Sequence, residues 1–239
     1  MRRRRPPNDR DVRVPFGDGP LVALVYRGPA SLPGCPEAVA DLLRRSRWMF
    51  AVDFVGPSEP RDLCPDALAG VALYAQPGGG DLRPAWRRLR RHAETIRSFV
   101  HSGGRYLGFC LGAYLAGASP GFRLLPGDVD RYPGSPGAGC RTEAAVVLPI
   151  VWRGRTRSVY GQDAPFVDLD PNRGAARVLG VYDNGLAAAV VAAYGRGAVG
   201  VVGPHPEATA DWFVDDGLCP PEPLALDLGL DLVDEVMAG

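Results

Sequence analysis

Apolar and polar positions alternate in short blocks over the first half of the chain. The run PLVALVYRGP (20–29) is continuously apolar until Gly28-Pro29 stops it, which predicts a strand. The period then changes. CPEAVADLLRRSRW (35–48) places Pro36 near its start and repeats apolar residues at helical spacing. FAVDFVG (50–56) predicts a second strand, and LAGVALYAQPGGG (68–80) a third that ends in a glycine cluster. PAWRRLRRHAETIRSFVHSGG (84–104) puts Trp86, Leu89, Ile96, Phe99 and Val100 on one stripe, with arginines elsewhere. That pattern predicts one amphipathic helix ended by Gly103-Gly104. RYLGFC (105–110) predicts a fourth strand, and LGAYLAGA opens the next helix.

This order of elements predicts an α/β sandwich around a parallel sheet. The second half has a different character. TEAAVVLPIVWRGRTRSVYGQ (142–162) and ARVLGVYDNGLAAAVVAAYGRGAVGVVGPHPE (176–207) carry strands separated by tight turns, with YDNG and YGRG as hairpin signals. Antiparallel strands are therefore expected beside the parallel core. DWFVDDG and LALDLGLDLVDEVMA predict closing helices. There is no internal repeat, and residues 20–239 are expected to form one domain.

Composition changes this picture little. The chain has 239 residues, 46% hydrophobic and 23% charged, with 27 basic and 27 acidic side chains. A zero formal charge gives no general attraction to nucleic acid or to an anionic membrane. The exception is MRRRR, followed by PPNDRDVRVPFGDGP; residues 1–19 are expected to be a disordered basic tail. No stretch reaches the roughly 18 apolar residues of a membrane span. LVALVY is too short for a signal-peptide core and ends at Arg27. The five cysteines, Cys35, Cys64, Cys110, Cys140 and Cys219, are odd in number and form no C-x-x-C pair. Neither a disulfide framework nor a zinc site is expected, and a reducing cytoplasm is the expected compartment. Three histidines leave little material for a metal centre. No metal or cofactor is expected.

Chemistry concentrates at strand ends. GFCLG (108–112) is G-x-C-x-G between a strand and a helix, the cysteine form of a nucleophile elbow. Gly108 and Gly112 keep side chains out of a crowded turn, and the helix start favours thiolate over thiol. The Leu111 amide is placed to face the oxyanion formed when Cys110 attacks a carbonyl. The alternative is a buried core cysteine between packing glycines. VVGPHPE supplies His205 two residues before Glu207, a base and its orienting carboxylate in one loop stiffened by Pro206. His92 and His101 lie on or near the arginine-rich helix and read as solvated. QPGGG (76–80) falls at a strand's carboxyl end, where open α/β sheets bind ligands, and Gly79 or Gly80 is placed to bring a second amide to the oxyanion. GRGAVG (195–200) matches the dinucleotide pattern G-x-G-x-x-G, but a strand follows it and not a helix, so that reading fails.

A glycine-rich loop, then G-x-C-x-G, then H-P-E resembles the class I glutamine amidotransferase-like superfamily. LVYRGP, PGGG, GGRYLGFCLGAYLAG, DRYPGSPGAG and GPHPE look most like the branch named for the N-terminal domain of biotin-protein ligases, over roughly residues 20–215. The resemblance implies a flavodoxin-like three-layer sandwich with a mainly parallel central sheet and appended antiparallel strands. It implies Cys110 as nucleophile, His205 as base and Glu207 as its orienter, with Gly79, Gly80 and Leu111 flanking the oxyanion. Glutamine-hydrolysing members carry Gln where this chain has Tyr114, which points to a substrate other than free glutamine. Within these 239 residues neither a synthase domain to receive ammonia nor a biotin ligase domain is expected.

GDVDRYPGSPGAGC (127–140) is expected to be a long irregular loop that covers the thiol. Within it, Arg131 and Tyr132 are the side chains best suited to bind a carboxylate or amide of a small-molecule substrate. Three readings follow: a Cys-dependent amide-processing hydrolase or amidotransferase working through a thioester; a glutaminase subunit feeding ammonia to a separate synthase partner; and a silent binding or scaffold module with the same fold.

Overall fold

The structure, a computed structural model, describes residues 19–239. The expected basic tail lies, apart from Gly19, outside the described residues. Five strands run parallel: β1 (Val22–Tyr26), β2 (Ala51–Val55), β3 (Leu73–Gln76), β4 (Arg105–Phe109) and, from much later in the chain, β11 (Gly197–Val202). Their order is β2-β1-β3-β4-β11, the doubly wound arrangement whose direction of winding reverses between β1 and β3.

Alternation along each parallel strand creates two buried faces. Ala23, Val25, Leu73, Ala75, Leu107 and Phe109 face α1 (Cys35–Arg45) and α7 (Leu226–Ala238). Leu24, Tyr26, Tyr74, Tyr106, Val199 and Val201 face the other layer, built from α2 (Pro65–Leu68), α3 (Leu82–Leu89), α4 (Ala93–His101) and α5 (Leu111–Ala116). The sandwich expected from the sequence is the architecture found.

The antiparallel extension grows from β11 through β10 (Ala187–Tyr194), β9 (Ala176–Val181), β6 (Val146–Trp152) and β7 (Arg155–Gly161). The two hairpin signals are used as expected: YDNG joins β9 to β10 and YGRG joins β10 to β11. A side branch, β5 (Gly127–Arg131) paired with β8 (Pro165–Leu169), hangs from β10. The sequence gives no sign of β5, because Gly127, Asp128 and Asp130 are poor strand formers. Its ladder with β8 holds it, and Asp128 Oδ1 accepts from the Ala118 amide at 2.7 Å. The expected 127–140 loop therefore starts only at Tyr132.

The helix expected over 84–104 is two helices. Arg90–His92 form a 3-10 turn between α3 and α4. Three consecutive polar residues there offer the sheet nothing to grip, so the chain tightens locally. Trp86 then meets Phe122 edge-on at 5.8 Å, while Ile96 and Val100 are fully buried.

Helix α7 straps the two halves together. Leu228, Leu232, Val233 and Val236 are buried. Its acidic residues are held by partners from both sides: Trp48 Nε1 donates to Asp234 at 2.9 Å, Trp152 Nε1 to Asp231 at 2.8 Å, and Arg153 Nε to Asp231 at 2.7 Å. Trp152 is 4% exposed, and Asp231 is the acceptor for its indole N–H. Asp231→Ala is expected to lower unfolding stability by about 1–3 kcal/mol, the range for a stranded buried donor. Urea denaturation reads this as a lower midpoint at unchanged slope.

Candidate active site

Cys110 joins β4 to α5 with φ 46° and ψ −104°, a conformation that non-glycine residues seldom adopt. Such strain costs about 1–3 kcal/mol and survives only when its surroundings over-determine it. They do so here. The Cys110 amide donates to Val202 O at 2.9 Å, and Cys110 O accepts from the amides of Ala113 and Tyr114 at 2.8 and 3.1 Å. A Cβ on Gly112 would overlap the backbone oxygen of Gln76, and one on Gly108 would sit 2.6 Å from Gly112 O. Tyr106, fully buried, donates its hydroxyl to that same Gly112 oxygen at 2.7 Å. The two elbow glycines are there for close approach, as their spacing suggests.

His205 and Glu207 follow β11. The His205 amide donates to Tyr160 O at 2.7 Å, which pins the loop to β7. Nδ1 of His205 lies 2.8 Å from Glu207 Oε1, with both residues almost wholly buried. The ring packs edge-on against Tyr160 and Trp212, at centroid distances of 5.8 and 5.3 Å. Burial by itself would favour the neutral ring. The negative charges of Glu207 and of a Cys110 thiolate, with the hydrogen bonds to both, outweigh it and hold the His205 pKa above its ordinary value. The structure thus brings Cys110, His205 and Glu207 together, as the sequence pattern anticipates.

The glycine loop arrives from the opposite side. Gly78 fits against His205 and Cys110: a Cβ there would overlap the His205 ring and lie 3.3 Å from the Cys110 Cβ. Gly79 has φ 99°, and a Cβ on it would lie 2.6 Å from the Leu32 amide nitrogen. Gly80 has open space around it. Sequence reasoning singled out Gly79 and Gly80; the glycine in contact with His205 is Gly78, and only a three-dimensional contact distinguishes it from its neighbours. Among the described residues the Gly79 amide donates to no protein acceptor. Leu111 is the first residue of α5, so its amide has no acceptor within that helix. Helix α5 has only six residues, so its dipole is a small aid to a thiolate beside that of a neighbouring imidazolium.

The remaining expected site residues form the rim. Cys110 Sγ lies 3.6 Å from the carbonyl oxygen of Gln162 in the β7–β8 loop. Tyr114 donates its hydroxyl to Asp163 O at 3.2 Å, and burial keeps its phenol protonated. Arg131 Nε pairs with Asp163 Oδ1 at 2.6 Å, and its Nη1 pairs with Glu143. Burial pushes the Asp163 carboxyl up from its usual range while Arg131 opposes the shift. Arg131 is therefore already engaged by two carboxylates. Tyr132 is 1% exposed and stacks face to face on Tyr182, with centroids 3.8 Å apart, while its hydroxyl donates to Asp183 at 2.7 Å. That stack fastens the 132–140 segment to the β9–β10 turn. The loop backbone in contact with the thiol is the Gln162 carbonyl. Sequence reasoning missed Tyr160, Trp212 and Asp163, whose roles come from long-range contacts with no local motif.

All five cysteines are free. Cys35 is buried, and burial, then the charges of Glu207 and Cys110, push its thiol up to about 12, which leaves it protonated and unreactive. No group of three metal-ligating side chains lies together among the described residues, and no described helix is long and apolar enough to cross a membrane.

Residues 21–128 match the family model described as biotin-protein ligase, N terminal. No curated protein matches the chain. Solved structures do. A glutamine amidotransferase aligns at 19% identity and a TM-score of 0.58, over 89% of this chain and 99% of its own. A glutamine amidotransferase from Thermotoga maritima aligns at 14% and 0.57, over 92% and 99%. A putative GMP synthase subunit from Thermoplasma acidophilum aligns at 11% and 0.55, over 91% and 92%. Identities this low establish a shared fold and leave the reaction to the residues.

Glu207→Gln removes the carboxylate that raises the His205 pKa and orients its ring. Iodoacetamide labelling of Cys110 at pH 7 is expected to slow by roughly tenfold. Peptide mass spectrometry reads this separately from labelling at exposed Cys64 and Cys219. Gly78→Ala, which displaces the His205 ring, is expected to slow labelling at pH 7 by roughly tenfold or more while the protein stays folded. The chain has the class I glutamine amidotransferase-like fold, and its residues 21–128 match the biotin-protein ligase N-terminal branch.

Proposed function

We propose that this chain is an amide-processing hydrolase or amidotransferase-like enzyme in which Cys110, His205 and Glu207 form a catalytic triad, and in which residues 20–239 act as one unit. The observation that carries the reading is the buried His205–Glu207 pair at 2.8 Å beside a cysteine held in a strained backbone conformation. A core cysteine has no need of that strain, and a buried carboxylate without a function is costly.

The Cys110 thiolate attacks the amide carbonyl carbon, forming a C–S bond and a tetrahedral oxyanion that the Leu111 and Gly79 amides stabilise. The His205 imidazolium gives its proton to the departing nitrogen, the C–N bond breaks, and a thioester remains. His205, now neutral, takes a proton from water. The resulting hydroxide attacks the thioester and releases the acid and the thiolate. Glu207 orients the ring and stabilises its charged form throughout. An amine in place of water gives acyl transfer by the same steps.

The rim bears on the substrate. Tyr114 fills the position at which glutamine-hydrolysing relatives carry Gln, and Arg131 is paired with Asp163 and Glu143. One arginine against two carboxylates leaves the mouth net acidic, which favours a substrate with a cationic group near its amide over one with a free carboxylate. The likeness to a putative GMP synthase subunit supports a second reading, a glutaminase subunit that passes ammonia to a synthase partner. A silent scaffold with the same fold is the third reading; the intact Cys-His-Glu set argues against it.

A glutamine-mimicking chloroketone separates them by intact-protein mass. A single adduct that disappears in Cys110→Ala and slows in His205→Ala would support the glutaminase subunit. Fast labelling of Cys110 by a general thiol reagent, with no chloroketone adduct, is the outcome expected here: a nucleophile whose pocket rejects glutamine. Slow labelling by both reagents would sink the enzyme reading and leave the scaffold.

A further inference from the structure

A second cleft opens away from the thiol. It has a volume of about 540 Å³ and lies at the carboxyl ends of β1 and β2, where Tyr26 closes β1 and α3 crosses above. Neither Cys110, His205 nor Gly78 lines it. It stands beside the point where the winding of the parallel strands reverses, between β1 and β3, the place where doubly wound sheets leave a crevice for ligands.

Its charge is one-sided. Arg87, Arg88 and Arg91 line it against a single carboxylate, Asp62. Asp62 pairs loosely with Arg91, at 3.5 Å. Among the described residues Arg87 and Arg88 form no salt bridge. His92 adds no charge: burial and then Arg91 lower its pKa, and its Nε2 accepts from Arg91 Nε at 2.9 Å. That bond also orients the Arg91 guanidinium. The cleft is thus net dicationic. Pro29, Pro57 and Pro84 supply stiff apolar walls around the arginines.

An arginine-rich, walled cleft of this charge fits one chemistry. Guanidinium forks recognise phosphate oxygens in pairs, and a phosphate monoester carries close to two negative charges at neutral pH. The volume has room for a sugar or a nucleoside beside the phosphate. We propose that this cleft binds a small organic phosphate, a phosphate monoester of about mononucleotide size, at a site separate from the thiol.

Isothermal titration with AMP tests the proposal on the full chain. The expected result is saturable one-site binding that inorganic phosphate competes away. Arg87→Ala and Arg88→Ala are each expected to weaken it by roughly tenfold. Arg83→Ala removes a charge from the same helix outside the cleft and is expected to stay within about twofold of wild type, which a merely diffuse basic field would not allow. Cys110→Ala is expected to bind as wild type does, so a failed catalytic reading leaves this one intact. The proposal is overturned by absence of AMP binding at millimolar concentration, by equal losses in all three arginine variants, or by loss of binding in Cys110→Ala. A DNA duplex that binds more tightly than AMP, with steep salt dependence, would overturn it in favour of a nucleic-acid face.

Discussion

The closeness of α5 to the end of β3 governs this molecule. Gly112 brings its backbone against the carbonyl of Gln76, a contact that any side chain would break. Gln76 is itself fixed: it is fully buried, its Oε1 accepts from Tyr74 and its Nε2 donates to Ala30 O at 2.9 Å. The turn from β4 into α5 has no room to relax, and Cys110 at its apex keeps φ 46°. The same buried anchor holds the β1–α1 loop, which packs through Leu32 on the glycine loop, where the Leu32 amide donates to Gly78 O at 3.3 Å. Cys110, the glycine loop and the β1–α1 loop therefore share one set of backbone contacts at the carboxyl edge of the sheet.

Electrostatics then selects what this scaffold can do. Glu207 has a fully buried side chain, and its Oε2 has no hydrogen-bond partner. An ionised carboxylate in that position is tolerable only beside a positive charge. His205 is the one such group in contact with it. The charge and hydrogen bonds of Glu207 and Cys110 hold the His205 pKa up, although burial alone would drive it low.

Local motifs were legible in the sequence, and long-range contacts were not. G-x-C-x-G and H-P-E carry their geometry within a few residues, so Cys110, His205 and Glu207 could be named before any fold was known. QPGGG was legible as a loop, but three consecutive glycines look alike until His205 is placed against Gly78. Tyr132 looked like a binding residue because it lies in a Gly/Pro-rich segment; its partner Tyr182 is fifty residues away, and the stack makes it core. β5 and the break at Arg90–His92 were hidden because neighbours, and not propensity, decide them. The arginines of α3 gave no signal of a cleft until β1 and β2 are seen to end beneath them.

The division of labour follows the division of the sheet. The family match ends at residue 128 and spans four of the five parallel strands, β1 to β4, with the glycine loop and Cys110. Everything else around the thiol comes from later in the chain. His205 is pinned to β7 through Tyr160, Gln162 approaches Sγ from the β7–β8 loop, and Asp163 in that loop holds both Tyr114 and Arg131. His205 thus follows the last parallel strand and is fastened by the antiparallel extension, which also supplies the 162–163 rim, while Cys110 stands on the parallel core. A scaffold built this way can change its substrate by altering a hairpin loop, without disturbing the strained elbow. Relatives that share the first half and differ in the β7–β8 loop should therefore share the elbow and differ in the rim around it.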